Sequence, residues 1–127
     1  MLCAAVETTG SFLEWIVLYL SHFPEIQEKL QAEVSHVIGS GRFPQITDRP
    51  RMPYFQAFLQ DVFRIAPTIP FGYHMAVEDT VFIGSLIKKG TCVLSNFYGV
   101  HMDPKLWEQP EKIRPERFID TNGQFTK

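Results

Sequence analysis

Apolar residues crowd the opening of the chain: Phe12, Leu13, Trp15, Ile16, Val17, Leu18, Tyr19 and Leu20 leave almost no polar side. Such a run predicts a helix over about the first twenty residues, buried on most sides. The next segment, "SHFPEIQEKLQAEVSHVIGSG", is patterned differently. Pro24 falls in the first turn, Ile26, Leu30, Val34 and Val37 share one stripe, and Gly39 lies beyond the end, which together specify an amphipathic helix. Glu25 and Lys29 stand four apart on its wet side and form an expected surface pair. A loop with Pro44, Pro50 and Pro53 leads to "YFQAFLQDVFRIA", a third and largely buried helix stopped by Pro67.

From Thr68 the texture changes. Short runs such as "TVFIG", "SLI" and "TCVLSN", punctuated by Gly72, Gly84 and Gly90, read as strands and turns. In the tail, Pro104, Pro110 and Pro115 prevent any single regular element and predict an ordered meander packed through Trp107 and Phe118. The fold class is therefore α+β and mainly helical: three helices, a small antiparallel sheet and a meander, with the first and third helices facing a shared cavity.

Composition narrows the function classes. At 45% hydrophobic and 20% charged, 127 residues suffice for one ordinary globular domain. A net charge of −2 and the lack of basic runs among aromatics set nucleic acid aside. Cys3 and Cys92 stand far apart without metal-ligand spacing, so they suggest free thiols in a reducing compartment, not a zinc site or a disulfide framework. Glu7 and Glu14 interrupt the opening run, which argues against a signal peptide or membrane span. Its start has no cap and its end no closed element, so both ends of the chain look cut.

Three motifs carry the chemistry. "ETT", residues 7 to 9, sets an acid and two hydroxyls inside the first helix, where polar groups need a partner or a task. "DVFR" places Asp61 and Arg64 three apart on one face of the third helix, flanked by Phe58, Val62 and Phe63, which argue for burial. "PERF" carries Arg117 in the meander. In this order and spacing they resemble the C-terminal half of a cytochrome P450 of the microsomal, eukaryotic style. The likeness extends through "SHFPEIQEKLQAEV", "VEDTVFIGSLIKKGT" and "HMDPKLWEQPEKIRPERFID".

The resemblance implies a haem cofactor and assigns roles. Thr8 matches the threonine of the helix that crosses the haem, and Glu7 its acid, in a local opening of that helix. A Thr hydroxyl either bonds the i−4 carbonyl of its own helix or turns to a ligand, and a carboxylate can feed protons to dioxygen through it. Ala4 and Ala5 lie beside the cofactor, with Ala5 where relatives often carry Gly. Asp61, Arg64 and Arg117 match a structural triad that holds the meander, with Asp61 in place of the usual Glu. His74 matches a propionate partner, although a lone histidine is equally a structural residue. Ala66, Ile69, Pro70 and Phe71 match the substrate-lining stretch, whose apolar character suggests a lipophilic substrate.

The family's iron ligand is a cysteine in a glycine-rich loop, expected beyond Lys127, and neither Cys3 nor Cys92 has its context. Residues 1–127 are thus expected to be a partial cytochrome P450 domain, lacking the N-terminal helices, their membrane anchor and the ligand loop, with no metal ligand of its own. The parent would be a monooxygenase using O2 and an NADPH-dependent reductase at the cytosolic face of the endoplasmic reticulum membrane, or alternatively in mitochondria. The fragment would be inactive. A noncatalytic interaction module derived from the family is the alternative; an unrelated α+β domain leaves the motif order unexplained.

Overall fold

A computed structural model describes residues 2–126, with side chains from Ala4 onward. Helices α1 (Leu2–His22), α2 (Pro24–Val37) and α3 (Pro53–Ile65) follow one another, with a 3-10 turn at Ile46–Arg51 before α3. Strands β1 (Phe71–Met75), β2 (Thr80–Phe82), β3 (Ser85–Ile87) and β4 (Cys92–Asn96) come next, then a short α4 (Phe97–His101) and a second 3-10 turn, Pro115–Phe118. The chain divides into two compact units, residues 1–68 with 111–127, and residues 69–110.

In the first unit the core is Ile26 and Leu30 of α2 against Phe58 and Val62 of α3. Burial of each such side chain stabilises by about 1.5–3 kcal/mol. One stripe of α1, Phe12, Ile16, Tyr19 and Leu20, packs on this cluster. The expected burial of α1 on most sides does not hold, because no described element covers its other face: Val6 is 63% and Val17 65% exposed. Nor do α1 and α3 face a shared cavity. They meet directly, the Phe12 and Phe63 rings stacking at 3.7 Å. Phe63 stays half-exposed, whereas Phe58 and Val62 are fully buried.

The start of α3 has an unusual cap. Met52 offers no side-chain acceptor and Pro53 has no N–H, so Tyr54 and Phe55 carry the first free donors. Glu33 of α2 takes both, Tyr54 N–H on Oε1 and Phe55 N–H on Oε2, each at 2.8 Å. Lys29, one turn earlier, does not pair with Glu25 as expected. Its ammonium reaches Glu116 at 2.6 Å, because the 115–118 turn packs on α3, the helix that α2 also packs against.

Buried Asp48 pins the loop between α2 and α3. Its carboxylate accepts both arms of the Arg42 guanidinium at 2.7 Å, Arg51 at 2.5 Å and the Gln45 backbone N–H at 2.9 Å. The Arg42 bonds, followed by those of Gln45 and Arg51, hold its carboxyl well below the ordinary aspartate range against the opposing effect of burial. A carboxyl so depressed stabilises the fold fully above the unfolded pKa of about 4, and that contribution disappears as pH falls towards the folded value. Urea midpoints should therefore fall more steeply below pH 4 in the wild type than in Asp48→Asn; parallel acid limbs would remove this role from Asp48.

In the second unit the small sheet is two antiparallel pairs. Strands β1 and β4 pair from Phe71 opposite Asn96 to Met75 opposite Cys92, and β2 and β3 form a hairpin. Its two-residue tip is Ile83 at φ 50° and Gly84 at φ 77°, the left-handed pair that a tight hairpin requires. Gly72 of β1 accommodates Phe97, since a Cβ there would lie 2.9 Å from the ring. Asn96 caps α4 by accepting the Gly99 N–H at 2.8 Å. The expected meander splits between the units: Trp107, bonded to the Val100 carbonyl at 3.1 Å, belongs to the second, and buried Phe118 to the first.

Candidate functional site

The last turns of α3 bring Asp61 and Arg64 onto one buried face, 0% and 2% exposed. Arg64 Nε donates to Asp61 Oδ1 at 2.7 Å. The second carboxylate oxygen, Oδ2, accepts the backbone N–H of Arg114. Arg117 Nε stands 3.6 Å from Oδ1, an ionic contact. A second convergence lies on the backbone, where the Lys112 carbonyl accepts from Arg64 at 3.1 Å and from Arg117 at 3.2 Å. One carboxylate and one carbonyl thus clasp the irregular 112–117 segment to α3. Charge-assisted bonds of this kind fix geometry as well as adding energy.

Tyr19 of α1 lies near this clasp. Burial pushes its phenol up, the Asp61 carboxylate adds to the rise and Arg64 opposes it. The hydrophobic pattern offered Tyr19 only as one more core residue. Lys112 and Arg114 enter through backbone atoms, for which side-chain identity carries no signal. Glu33 had one clue, a helix start at "MP" with no acceptor of its own.

The remaining predicted residues are dispersed. Thr8 hydroxyl donates to the Ala4 carbonyl at 2.7 Å, the i−4 alternative, and α1 runs continuously with no local opening. Ala4, Ala5 and Glu7 are exposed on the same helix. His74 is exposed on β1, opposite Val93 of β4. Ala66 is buried at the end of α3, Ile69 is 60% exposed, the Pro70 carbonyl accepts the Tyr98 N–H at 3.0 Å, and Phe71 opens β1.

A groove of about 580 Å³ does occur, along α2, the 46–51 turn and α3, with Val34, Ile38, Phe55, Leu59 and Phe63 on its walls. None of the four predicted substrate-lining residues borders it. Cys92 is exposed on β4, and the side chain of Cys3 lies outside the described residues. Among the described residues no three His, Cys, Asp or Glu side chains converge as metal ligands, and no helix is long and apolar enough to cross a membrane.

Comparison with known proteins identifies the family. The family model for cytochrome P450 matches residues 1–127. The chain is similar to human cytochrome P450 2U1, 43% identical over 125 residues, which are 98% of this chain and 23% of that protein. It is 45% identical to rat cytochrome P450 2J3 over 98% of its length and 25% of the relative's, and 43% identical to the chicken steroid 17-alpha-hydroxylase/17,20 lyase over 95% and 24%. It spans about a quarter of the length of these relatives. A zebrafish cytochrome P450 structure with progesterone superposes with a TM-score of 0.89 at 43% identity, covering 94% of this chain and 29% of that one. A family match over the whole chain and a superposition this close at this identity leave one conclusion: the chain belongs to the cytochrome P450 family.

Proposed function

We propose that this chain is part of a haem-dependent monooxygenase that inserts one atom of O2 into a lipophilic substrate, with electrons from an NADPH-dependent reductase. The observation that carries the reading is the buried Asp61–Arg64–Arg117 clasp, which holds an irregular segment against α3 as a rigid support. The parent is proposed to sit at the endoplasmic reticulum membrane, with mitochondria the alternative; similarity to cytochromes P450 2U1 and 2J3 supports the first. The zebrafish relative holds progesterone, in keeping with a lipophilic substrate here. Ala66, Ile69, Pro70 and Phe71 are proposed to line that substrate's site in the whole enzyme.

Taken singly, the residues assigned to haem are chemically compatible with it. Ala4 and Ala5, exposed on α1 of the first unit, carry no side chain beyond a methyl that would keep a flat macrocycle away, and His74, exposed on β1 of the second, offers a donor for a carboxylate. The thiolate that would ligate the iron is not assigned to Cys92, which sits exposed in strand β4. A thiolate-ligated haem, when bound, supplies the oxygen-activating chemistry. This chain's residues supply one wall and a proton path. Thr8, whose hydroxyl donates to the Ala4 carbonyl, is proposed to accept a proton through water from exposed Glu7 and pass it on by turning away.

Residues 1–127 alone are accordingly proposed to be a partial, inactive domain. The purified chain, reduced and exposed to carbon monoxide, should give no thiolate-type absorption, and Cys92→Ser should change nothing. A stoichiometric thiolate signature lost in Cys92→Ser would refute this. The full-length protein carrying the segment should give the signature and oxygenate a lipophilic substrate when supplied with reductase. A second reading, a noncatalytic interaction module, draws on the uncovered apolar face of α1, with Val6, Leu13, Val17 and Leu18 more than half exposed. A full-length product that ends near residue 127 and binds no haem would favour it.

A further inference from the structure

We infer that Glu33 is a positioning residue for the Asp61 clasp, acting through the N-terminus of α3; the inference rests on the haem-scaffold reading above. Helix α3 is short and begins without a cap of its own, since Met52 has no acceptor and Pro53 no donor. Its only side-chain caps among the described residues come from α2, through the two oxygens of Glu33. Successive helical N–H groups point in directions about 100° apart. A carboxylate that holds two of them fixes the rotation of the helix about its axis as well as its height. The negative charge also suits the positive end of the helix dipole.

Asp61 lies seven residues beyond Tyr54, two helical turns or about 10 Å along the axis. Rotation or slip at the capped end therefore reaches the carboxylate almost undiminished. That carboxylate must meet Arg64 Nε at 2.7 Å and the Arg114 N–H at once, a geometry with little slack.

The opposite side of the clasp is anchored to the same helix. Lys29, one turn before Glu33, bonds Glu116 at 2.6 Å, next in sequence to Arg117. Tyr54 joins the two anchors: its backbone N–H donates to Glu33, its hydroxyl lies 3.4 Å from Glu116, and its ring lies 5.4 Å from the Lys29 ammonium. Helix α2 thus holds α3 at its beginning and the 115–118 turn at its middle, and the clasp closes between them. Lys29 and Glu116 are half-exposed, so the pair between them is screened by salt. Glu33 bonds backbone donors at a helix end and carries the greater share.

The test is amide hydrogen exchange on the full-length protein carrying this segment, as wild type, Glu33→Ala and Glu33→Gln. Positioning requires the N–H groups of Tyr54 and Phe55 and, two turns away, that of Arg114 to exchange roughly fivefold to tenfold faster in Glu33→Ala. Glu33→Gln, which keeps one acceptor oxygen in place of two and loses the negative charge at the helix end, should fall between, and it replaces the alanine variant should that fail to fold. Haem dissociation should accelerate in the same order. Faster exchange at Tyr54 and Phe55 with Arg114 unchanged would make the cap merely local and overturn the inference; so would unchanged haem retention. Wild-type protein that never takes up haem would instead overturn the proposed function, while the Arg114 exchange would still judge the coupling from Glu33.

Discussion

Arg64→Ala in the full-length protein should abolish haem incorporation, leaving apoprotein and no thiolate signature. The Arg64 guanidinium is 2% exposed and satisfies two acceptors, Asp61 Oδ1 at 2.7 Å and the Lys112 carbonyl at 3.1 Å. Removing it leaves a wholly buried carboxylate facing Arg117 at 3.6 Å and a carbonyl deprived of one of two donors. Breaking a buried pair from one side costs about 3–5 kcal/mol, a large part of the stability of an ordinary domain. The 112–117 segment, which has only a single 3-10 turn of regular structure, should detach first. Arg64→Lys should fall far short of rescue, because an ammonium lacks the planar fork that serves both acceptors. Normal haem content in Arg64→Ala would sink the scaffold role of the clasp.

Thr8→Ala should separate electron consumption from product formation. Among the described residues Thr8 bonds only the Ala4 carbonyl of its own helix, and its neighbours Glu7 and Thr9 are exposed, so the substitution should change stability by no more than about 0.5 kcal/mol. Its effect on turnover can then be read without a folding artefact. If the proposed path from Glu7 runs through this hydroxyl, its loss should let dioxygen reduced by two electrons take its two protons from solvent water and leave as hydrogen peroxide. Positioned proton transfer contributes about 10²–10⁴-fold, so product per electron should fall by about tenfold or more. Thr8→Ser, which keeps the hydroxyl, should retain most of the coupling. Wild-type coupling in Thr8→Ala would exclude the relay, leaving Thr8 as an ordinary helix residue.

How far the sequence revealed these features depends on which atoms make the contacts. Periodicity located α1, α2 and α3, because a stripe such as Ile26, Leu30 and Val34 has one geometric solution. It overstated the burial of α1, since hydrophobicity reports what a face can bury and not whether a partner is present. The "FGYHM" strand escaped notice because Gly72 at its centre weakens a strand pattern, and only its packing under Phe97 explains the glycine. Local spacing suggested Glu25 for Lys29, whereas the structure chose Glu116, 87 residues away, a choice that only tertiary packing can make. The Asp61, Arg64 and Arg117 side chains were legible through family likeness and stand together. Their backbone partners at 112 and 114 were not, since any residue supplies a carbonyl and nearly any an N–H.

Contacts made through the backbone leave this region room to drift. The clasp takes hold of the 112–117 segment by a carbonyl at position 112 and an amide at position 114, neither of which depends on the side chain that accompanies it. Position 112 is thus free to vary in charge and size while its peptide oxygen stays in place, and position 114 is closed to proline alone by this contact. Two relatives can therefore differ widely between "EKIRP" and its counterpart and still close the same clasp, so that geometry is inherited where letters are not.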